Sequence, residues 1–269
     1  MRHGVAIRPK DLDMDKKSGK HNEKIIEQFS KQAVPFSKVP GHKDSMQVLI
    51  SMAGVQCSDR VLDVACGPGL VACEFAKIAN QVVGIDITAK MIERAKVLQR
   101  EQHITNVQWQ IDAIPPLPFP DASFSIVITR YSFHHFIQPS EVLNEMIRVC
   151  RPGGRVLVAD VALPSNKTKA YDDLEKLRDP SHTHALSISE WEELFSSNKL
   201  TDVQKDFYSV PIELERQMKA SFPNPGDEEK VRARIKEDIG IDRLGIGAFS
   251  KGDEIHYSVP IGVFVGRRH

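Results

Sequence analysis

Apolar residues fall in short, unbroken runs through the middle of the chain: RVLDVA (60–65), QVVGID (81–86), VQWQID (107–112), FSIVIT (124–129) and RVLVAD (155–160). Runs of this kind predict strands buried on both faces. Between them, LVACEFAKIA, TAKMIERAKVLQRE and SEVLNEMIRVC space their apolar positions three and four apart, which predicts helices. Thr88 and Ser140 are candidate N-caps. Strand–helix alternation implies right-handed crossovers and a parallel sheet with helices on both faces.

Past residue 160 the pattern loosens. Residues 167–178 and 187–197 predict helices, the second with Ser187 and Glu190 spaced as a capping box. DVQKDFYSV (202–210) and HYSVPIGVFVGRR (256–268) predict a sixth strand and a last one. Pro260 lacks an N–H, which places that last strand at an edge or a bulge. Residues 211–254 read as mostly helical and charged. Ahead of the sheet, Ile25, Ile26, Phe29 and Ala33 share one face of a helix opening at Asn22, and 45–53 predicts another. Residues 1–22 are polar and predict a disordered segment, leaving 23–269 as a single domain.

Composition narrows the class. The chain has 269 residues, 41% hydrophobic, with 36 Lys+Arg balanced by 36 Asp+Glu. That excludes wholesale disorder. Charge balance argues against a nucleic-acid partner, which demands a cationic excess. No apolar run approaches the roughly 20 residues of a membrane-spanning helix, so no membrane partner is expected. The N-terminus has no apolar core for a secretory signal. Cys57, Cys66, Cys73 and Cys150 form no CxxC pair, and free thiols in a reducing, cytoplasmic compartment are expected.

The segment with the most chemistry in it is VLDVACGPGL (61–70), where a strand ends, a glycine-rich turn follows and a helix begins. Gly67 and Gly69 permit a sharp turn and close approach of a ligand. Nineteen residues beyond Gly67, Asp86 ends the second strand, the spacing of an acid that binds ribose hydroxyls. With Ala72 the motif also reads G-x-G-x-x-A, open to a dinucleotide. Two residues argue the other way. Pro68 has no N–H for a pyrophosphate, and Asp63 would repel one. The same carboxylate suits a cationic, phosphate-free adenosine ligand such as S-adenosyl-L-methionine.

VLDVACGPG, GID at the second strand end, QIDA at the third and RPGG before the fifth resemble class I S-adenosylmethionine-dependent methyltransferases. Within them the chain resembles the small-molecule branch that includes ubiquinone and menaquinone biosynthesis methyltransferases, over about residues 25–200. The resemblance implies a Rossmann-like, doubly wound α/β fold, a mostly parallel seven-stranded sheet with helices on both faces; ligands sit beyond the carboxyl ends of such strands, and 23–55, 161–186 and 211–254 are expected to form a helical cap there. The resemblance also implies S-adenosyl-L-methionine as cofactor and methyl transfer, and the apolar lid residues Phe29, Phe36, Phe133, Phe136 and Ile137 add the expectation that the acceptor is oxygen or carbon of a small, aromatic or quinol-like molecule. By position, Asp63, Ala65, Gly67 and Gly69 would surround the methionine part. Asp86 would accept the ribose hydroxyls, with Ile87 and Met91 near the adenine. Asp112 would accept from the adenine amino group, Ala113 would offer its N–H, and the Arg130 carbonyl would meet the ammonium.

RYSFHHF (130–136) follows the fourth strand. His134 and His135 are candidate general bases, since a histidine near pKa 6.5 could take a proton from an acceptor hydroxyl. Adjacent helical residues point about 100° apart, so at most one faces the site. Phe29, Phe36, Phe133, His182 and His184 are the expected substrate pocket, and Phe136 and Ile137 belong to the same apolar lid. His182 and His184 have no spacing that supports a metal site, so none is expected. The segment also lacks the Asn/Asp-Pro-Pro-aromatic run of nucleic-acid amine methyltransferases. The partner expected is thus a small molecule, with a homodimer left open. Two other readings stand beside it: a protein of this fold that binds the cofactor without methyl transfer, and an NAD-type dehydrogenase.

Overall fold

The structure, a computed structural model, describes residues 9–36, 44–198 and 200–269, with side chains described over 18–33, 45–198 and 200–269. Five strands occupy the predicted apolar runs: β1 (Arg60–Val64), β2 (Gln81–Asp86), β3 (Val107–Ile111), β4 (Phe124–Arg130) and β5 (Cys150–Val161). They pair in parallel in the order β3-β2-β1-β4-β5. Then come β6 (Leu200–Glu213), a short β7 (Phe249–Lys251) and β8 (Glu254–Arg268). β8 lies between β5 and β6 and is antiparallel to both, so β6 runs in the same direction as the first five. Seven strands form the main sheet, and β7 pairs only with β8.

The expectation that Pro260 marks an edge strand is corrected. β8 is interior, and Pro260 sits just past its last pair with β5, Ile261 opposite Val161. The Pro260 carbonyl accepts from the Ala162 N–H at 3.1 Å, so its nitrogen also faces β5. There β5 has ended, and no ladder bond is lost.

Alternate residues of each strand feed two apolar layers, as the period of two requires. Val61, Val82, Ile126 and Leu157 pack with α2 (Asp44–Ala53), α3 (Leu70–Ala76), α6 (Ser165–Arg178) and α9 (Asp227–Glu237). Leu62, Val83, Val127 and Val156 pack with α5 (Pro139–Val149) and α7 (Ile188–Ser197). Ser187 and Glu190 form the predicted capping box at the start of α7. Ser140 is no cap: Pro139 opens α5 and Gln138 holds the cap position. α4 (Ala89–Glu101) follows Thr88, which holds the cap position without a side-chain bond.

The helix expected from Asn22 begins much earlier. α1 spans Pro9–Phe36, taking in much of the segment expected to be disordered. In the 211–254 insertion, α8 (Leu214–Lys219) and α9 supply Leu214, Met218, Val231 and Ile235 to the first apolar layer. The insertion therefore packs beside the sheet and does not reach the cavity described next.

Candidate active site

Strand order reverses between β1 and β4, which opens a crevice at their carboxyl ends. A cavity of about 330 Å³ occupies it. Its floor is the turn after β1, the end of β2 at Asp86 and Ile87, and Arg130–Ser132 after β4; its roof is α1.

Backbone strain and carboxylates shape the turn after β1. Ala65, Gly67 and Gly69 all have positive φ, at 53°, 51° and 82°. The Asp86 carboxylate accepts from the Gly67 N–H and the Thr88 N–H, both at 2.8 Å, so β2 holds the turn in place. Asp63 accepts from the Ala72 N–H at 3.0 Å, at the positive end of α3. Burial nevertheless pushes the Asp63 pKa up to about 7, against the lowering effect of Arg130. Burial also raises that of Asp86, against its two backbone donors.

Gly67 and Gly69 have different work. A Cβ on Gly67 would meet nothing within 4 Å, and Gly67 lines the cavity. A Cβ on Gly69 would stand 2.6 Å from the Trp109 ring and 2.9 Å from the Ala95 Cβ. Trp109 also lies within 2.6 Å of the Cβ position of Gly84. Gly69 makes room for the β3 indole and does not line the cavity, a correction to its expected place.

After β4, Arg130 is buried and lines the cavity, its guanidinium 4.8 Å over the Tyr131 ring. Tyr131 has φ of 58°, an uncommon conformation for a bulky residue. Its N–H donates to the Ala159 carbonyl of β5 at 2.8 Å. In a trans peptide the preceding carbonyl points the opposite way. The Arg130 carbonyl therefore faces the β1 side, where pairing between β1 and β4 has already stopped at Asp63 and Ile128.

The two histidines of the 3₁₀ turn Phe133–His135 part company. His135 lines the cavity. Its Nδ1 lies 3.1 Å from the Ser181 carbonyl and 3.2 Å from the Ser181 Oγ, whose own proton goes to Asp179 at 2.6 Å. Both neighbours present lone pairs, so Nδ1 carries the proton and Nε2 keeps a free pair. Burial and then the nearby His134 hold the His135 pKa well below the histidine range, which keeps the ring neutral.

His134 turns away and donates from Nδ1 to Asp160 at 2.6 Å. Asp160 also accepts from the Phe133 and Val161 N–H groups, clamping the turn to the end of β5. Burial lowers the His134 pKa, but the Asp160 charge and hydrogen bond outweigh it and the net shift is upward.

Several expected site residues lie elsewhere. Asp112 is exposed and accepts from its neighbour's N–H, that of Ala113, at 2.9 Å; Ile114 and Pro115 line the cavity instead. Phe133 is buried against Phe136 and Trp191. His182 is buried behind the turn, stacked on His134 and bonded to Asp172 at 2.7 Å. His184 bonds to the other Asp172 oxygen at 2.6 Å and lines a neighbouring cleft. The Phe36 side chain lies outside the described residues. Among the described residues no cluster of three or more His, Cys, Asp or Glu could hold a metal ion.

Asp63, Ala65, Gly67, Asp86, Ile87, Met91, Arg130, His135 and Phe29 do line the cavity. Sequence reasoning missed Ser18, His21 and Asn22 of α1 and Tyr131 and Ser132 after β4. The α1 stripe had a signal: 18, 22, 25 and 29 recur at helical spacing in register with Phe29.

The fold and cavity define a doubly wound α/β protein with a glycine-turn site at its topological switch point. A sequence profile described as "Methyltransferase domain" matches residues 62–158. The chain is 35% identical over 208 residues to the uncharacterized methyltransferase YcgJ of Bacillus subtilis, covering 75% of this chain and 81% of that one. The crystal structure of YcgJ superposes with a TM-score of 0.78 at 28% identity, covering 85% of this chain and 99% of that one. The chain is 36% identical over 139 residues to the ubiquinone/menaquinone biosynthesis C-methyltransferase UbiE of Pseudomonas putida, covering 49% of this chain and 54% of that protein. The chain belongs to the methyltransferase domain family. Among the described residues no helix is long and apolar enough to cross a membrane.

Proposed function

We propose that the chain transfers a methyl group from S-adenosyl-L-methionine to carbon of a small, electron-rich acceptor of aromatic or quinol type. The observation that carries the cofactor reading is the cavity's charge set. Two buried carboxylates, Asp63 and Asp86, stand at its floor beside one buried guanidinium, Arg130. That set complements a ribose diol and a zwitterionic amino acid.

When bound, S-adenosyl-L-methionine supplies an electrophilic methyl group on a sulfonium. Asp63 and the Arg130 carbonyl receive the ammonium in this reading, and Asp86 receives the ribose hydroxyls on lone pairs its backbone donors leave free. Ile87 and Met91 pack on the adenine, with Ile114 and Pro115 in the place expected for Asp112 and Ala113. α1 excludes water above them through Ile25 and Phe29, and such alignment contributes much of the rate.

In this reading His135 favours carbon over oxygen. Taking a proton from a phenol of pKa about 10 costs even an ordinary histidine about 5 kcal/mol. His135 is a weaker base than that. Methylation at ring carbon leaves a proton whose departure restores aromaticity, and a weak base with a free Nε2 pair suffices to accept it. The relative named as a C-methyltransferase agrees with this choice.

The test is product mass spectrometry with methyl-labelled cofactor and a panel of quinols, catechols and phenols. Label on ring carbon is expected. Label on oxygen alone overturns the carbon assignment, and label on no acceptor weakens the enzyme reading. The cofactor placement has its own check. Asp86→Ala is expected to weaken S-adenosylhomocysteine binding by about 1.5–3 kcal/mol, the range for hydrogen bonds to charged groups. Titration calorimetry showing unchanged affinity contradicts the ribose assignment.

A further inference from the structure

Outside the cavity, across α1, lies a cleft of about 460 Å³ that shares His21, Phe136 and Ile137 with it. The two therefore adjoin at these three side chains. The cleft's apolar floor is Phe136, Ile137, Pro139 and Leu186. Its rim carries Lys20 and Lys24, four residues apart on α1 and both exposed. Among the described residues neither lysine has a carboxylate at ion-pairing distance, whereas Lys31 further along α1 is paired with Glu27. His184 on the opposite wall is bonded to Asp172 and Glu190, so its charge is matched locally. Glu23 lies on the same helix but does not line the cleft.

We propose that this cleft holds the outer part of the acceptor, and that the acceptor is an amphipathic anion. Its apolar segment would lie on Phe136, Ile137, Pro139 and Leu186, and a carboxylate or phosphate would sit between Lys20 and Lys24. The proposal rests on the methyl-transfer reading of the inner cavity, which makes the adjoining cleft the route for acceptor. An apolar floor with a cationic rim selects against neutral acceptors, because the two ammonium groups gain nothing from them. It equally disfavours a cationic amine.

The experiment titrates the full chain, saturated with S-adenosylhomocysteine, with 3-phenylpropionate, phenyl phosphate and the neutral 3-phenylpropan-1-ol. At least one anion is expected to bind about tenfold more tightly than the alcohol. The tighter of the two identifies the anionic group. The K20Q/K24Q double variant is expected to lose that preference while holding S-adenosylhomocysteine within about twofold of the unaltered chain, since exposed lysines leave the fold intact. Equal binding of alcohol and anions overturns the proposal. So does a preference that survives in K20Q/K24Q, or no binding of either anion at millimolar concentration. Failure of S-adenosylhomocysteine itself to bind is a separate outcome, and it strikes at the methyltransferase reading. The same anion titrations on the chain alone then decide the cleft.

Discussion

Asp63 is a carboxylate held where burial opposes its charge, and this sets a trade between stability and binding. The unfolded chain gives up the proton near the ordinary value of 3.8, while the fold holds it to about 7. Stability is therefore greatest below the unfolded value and falls as pH rises through the folded one. Asn in its place still accepts the Ala72 N–H but never ionises. Asp63→Asn is expected to stabilise the fold by about 2–3 kcal/mol more near pH 8 than near pH 5. Urea unfolding at the two pH values checks this, and a gain independent of pH refutes it. The same variant is expected to bind S-adenosylhomocysteine more weakly, because the proposed partner of its ammonium is gone. In the unaltered chain affinity should rise as pH rises through about 7, since the ligand's cation prefers the ionised acid.

At the scale of elements, the turn after β1 separates glycine for packing from glycine for approach. Gly69→Ala places a Cβ against Trp109 and Ala95 at a φ of 82°. Overpacking and left-handed strain together are expected to destabilise by about 2–4 kcal/mol. Gly67→Ala meets only the strain of its φ of 51°, about 1–2 kcal/mol, yet it narrows the cavity and should weaken S-adenosylhomocysteine. Denaturation and calorimetry on both variants decide the matter: equal stability losses contradict the division. The sheet itself was legible, because strands covered on both faces leave unbroken apolar runs. The turn and Asp86 were legible because they are fixed by spacing. Side-chain direction was not. Asp112, His182 and His184 lie on the expected edge, but local donors and Asp172 capture them, and spacing along the chain carries no record of that competition. Pro260 misled because the rule against it concerns its missing N–H, and the strand that would have used that N–H ends one residue earlier.

At the scale of the molecule, the cavity is complete only with α1 in place, and α1 packs on α4 and on the turns beyond the strands rather than on the sheet itself. Its start escaped sequence reading because residues 9–22 are polar and show no apolar stripe. The described side chains tie it through His21, which donates to the His135 carbonyl at 2.7 Å, and Gln32, which donates to Asp179 at 3.2 Å. Phe29 adds an edge contact with the His135 ring. β4, by contrast, is buried along its whole length between β1 and β5. Elements with few buried contacts open locally at small free energy, whereas central strands open only with the whole fold. A ligand that touches both the floor and α1 binds the closed arrangement preferentially and shifts the population toward it. Amide exchange over residues 18–33 should therefore be fast without ligand and slow by about tenfold or more at saturating S-adenosylhomocysteine, at a ligand excess that alone supplies the shift. β4 amides are expected to slow only to the extent that global stability rises. Protection confined to the turn after β1, with α1 unchanged, shows that α1 takes no part in closing the site and removes the case for water exclusion by Ile25 and Phe29.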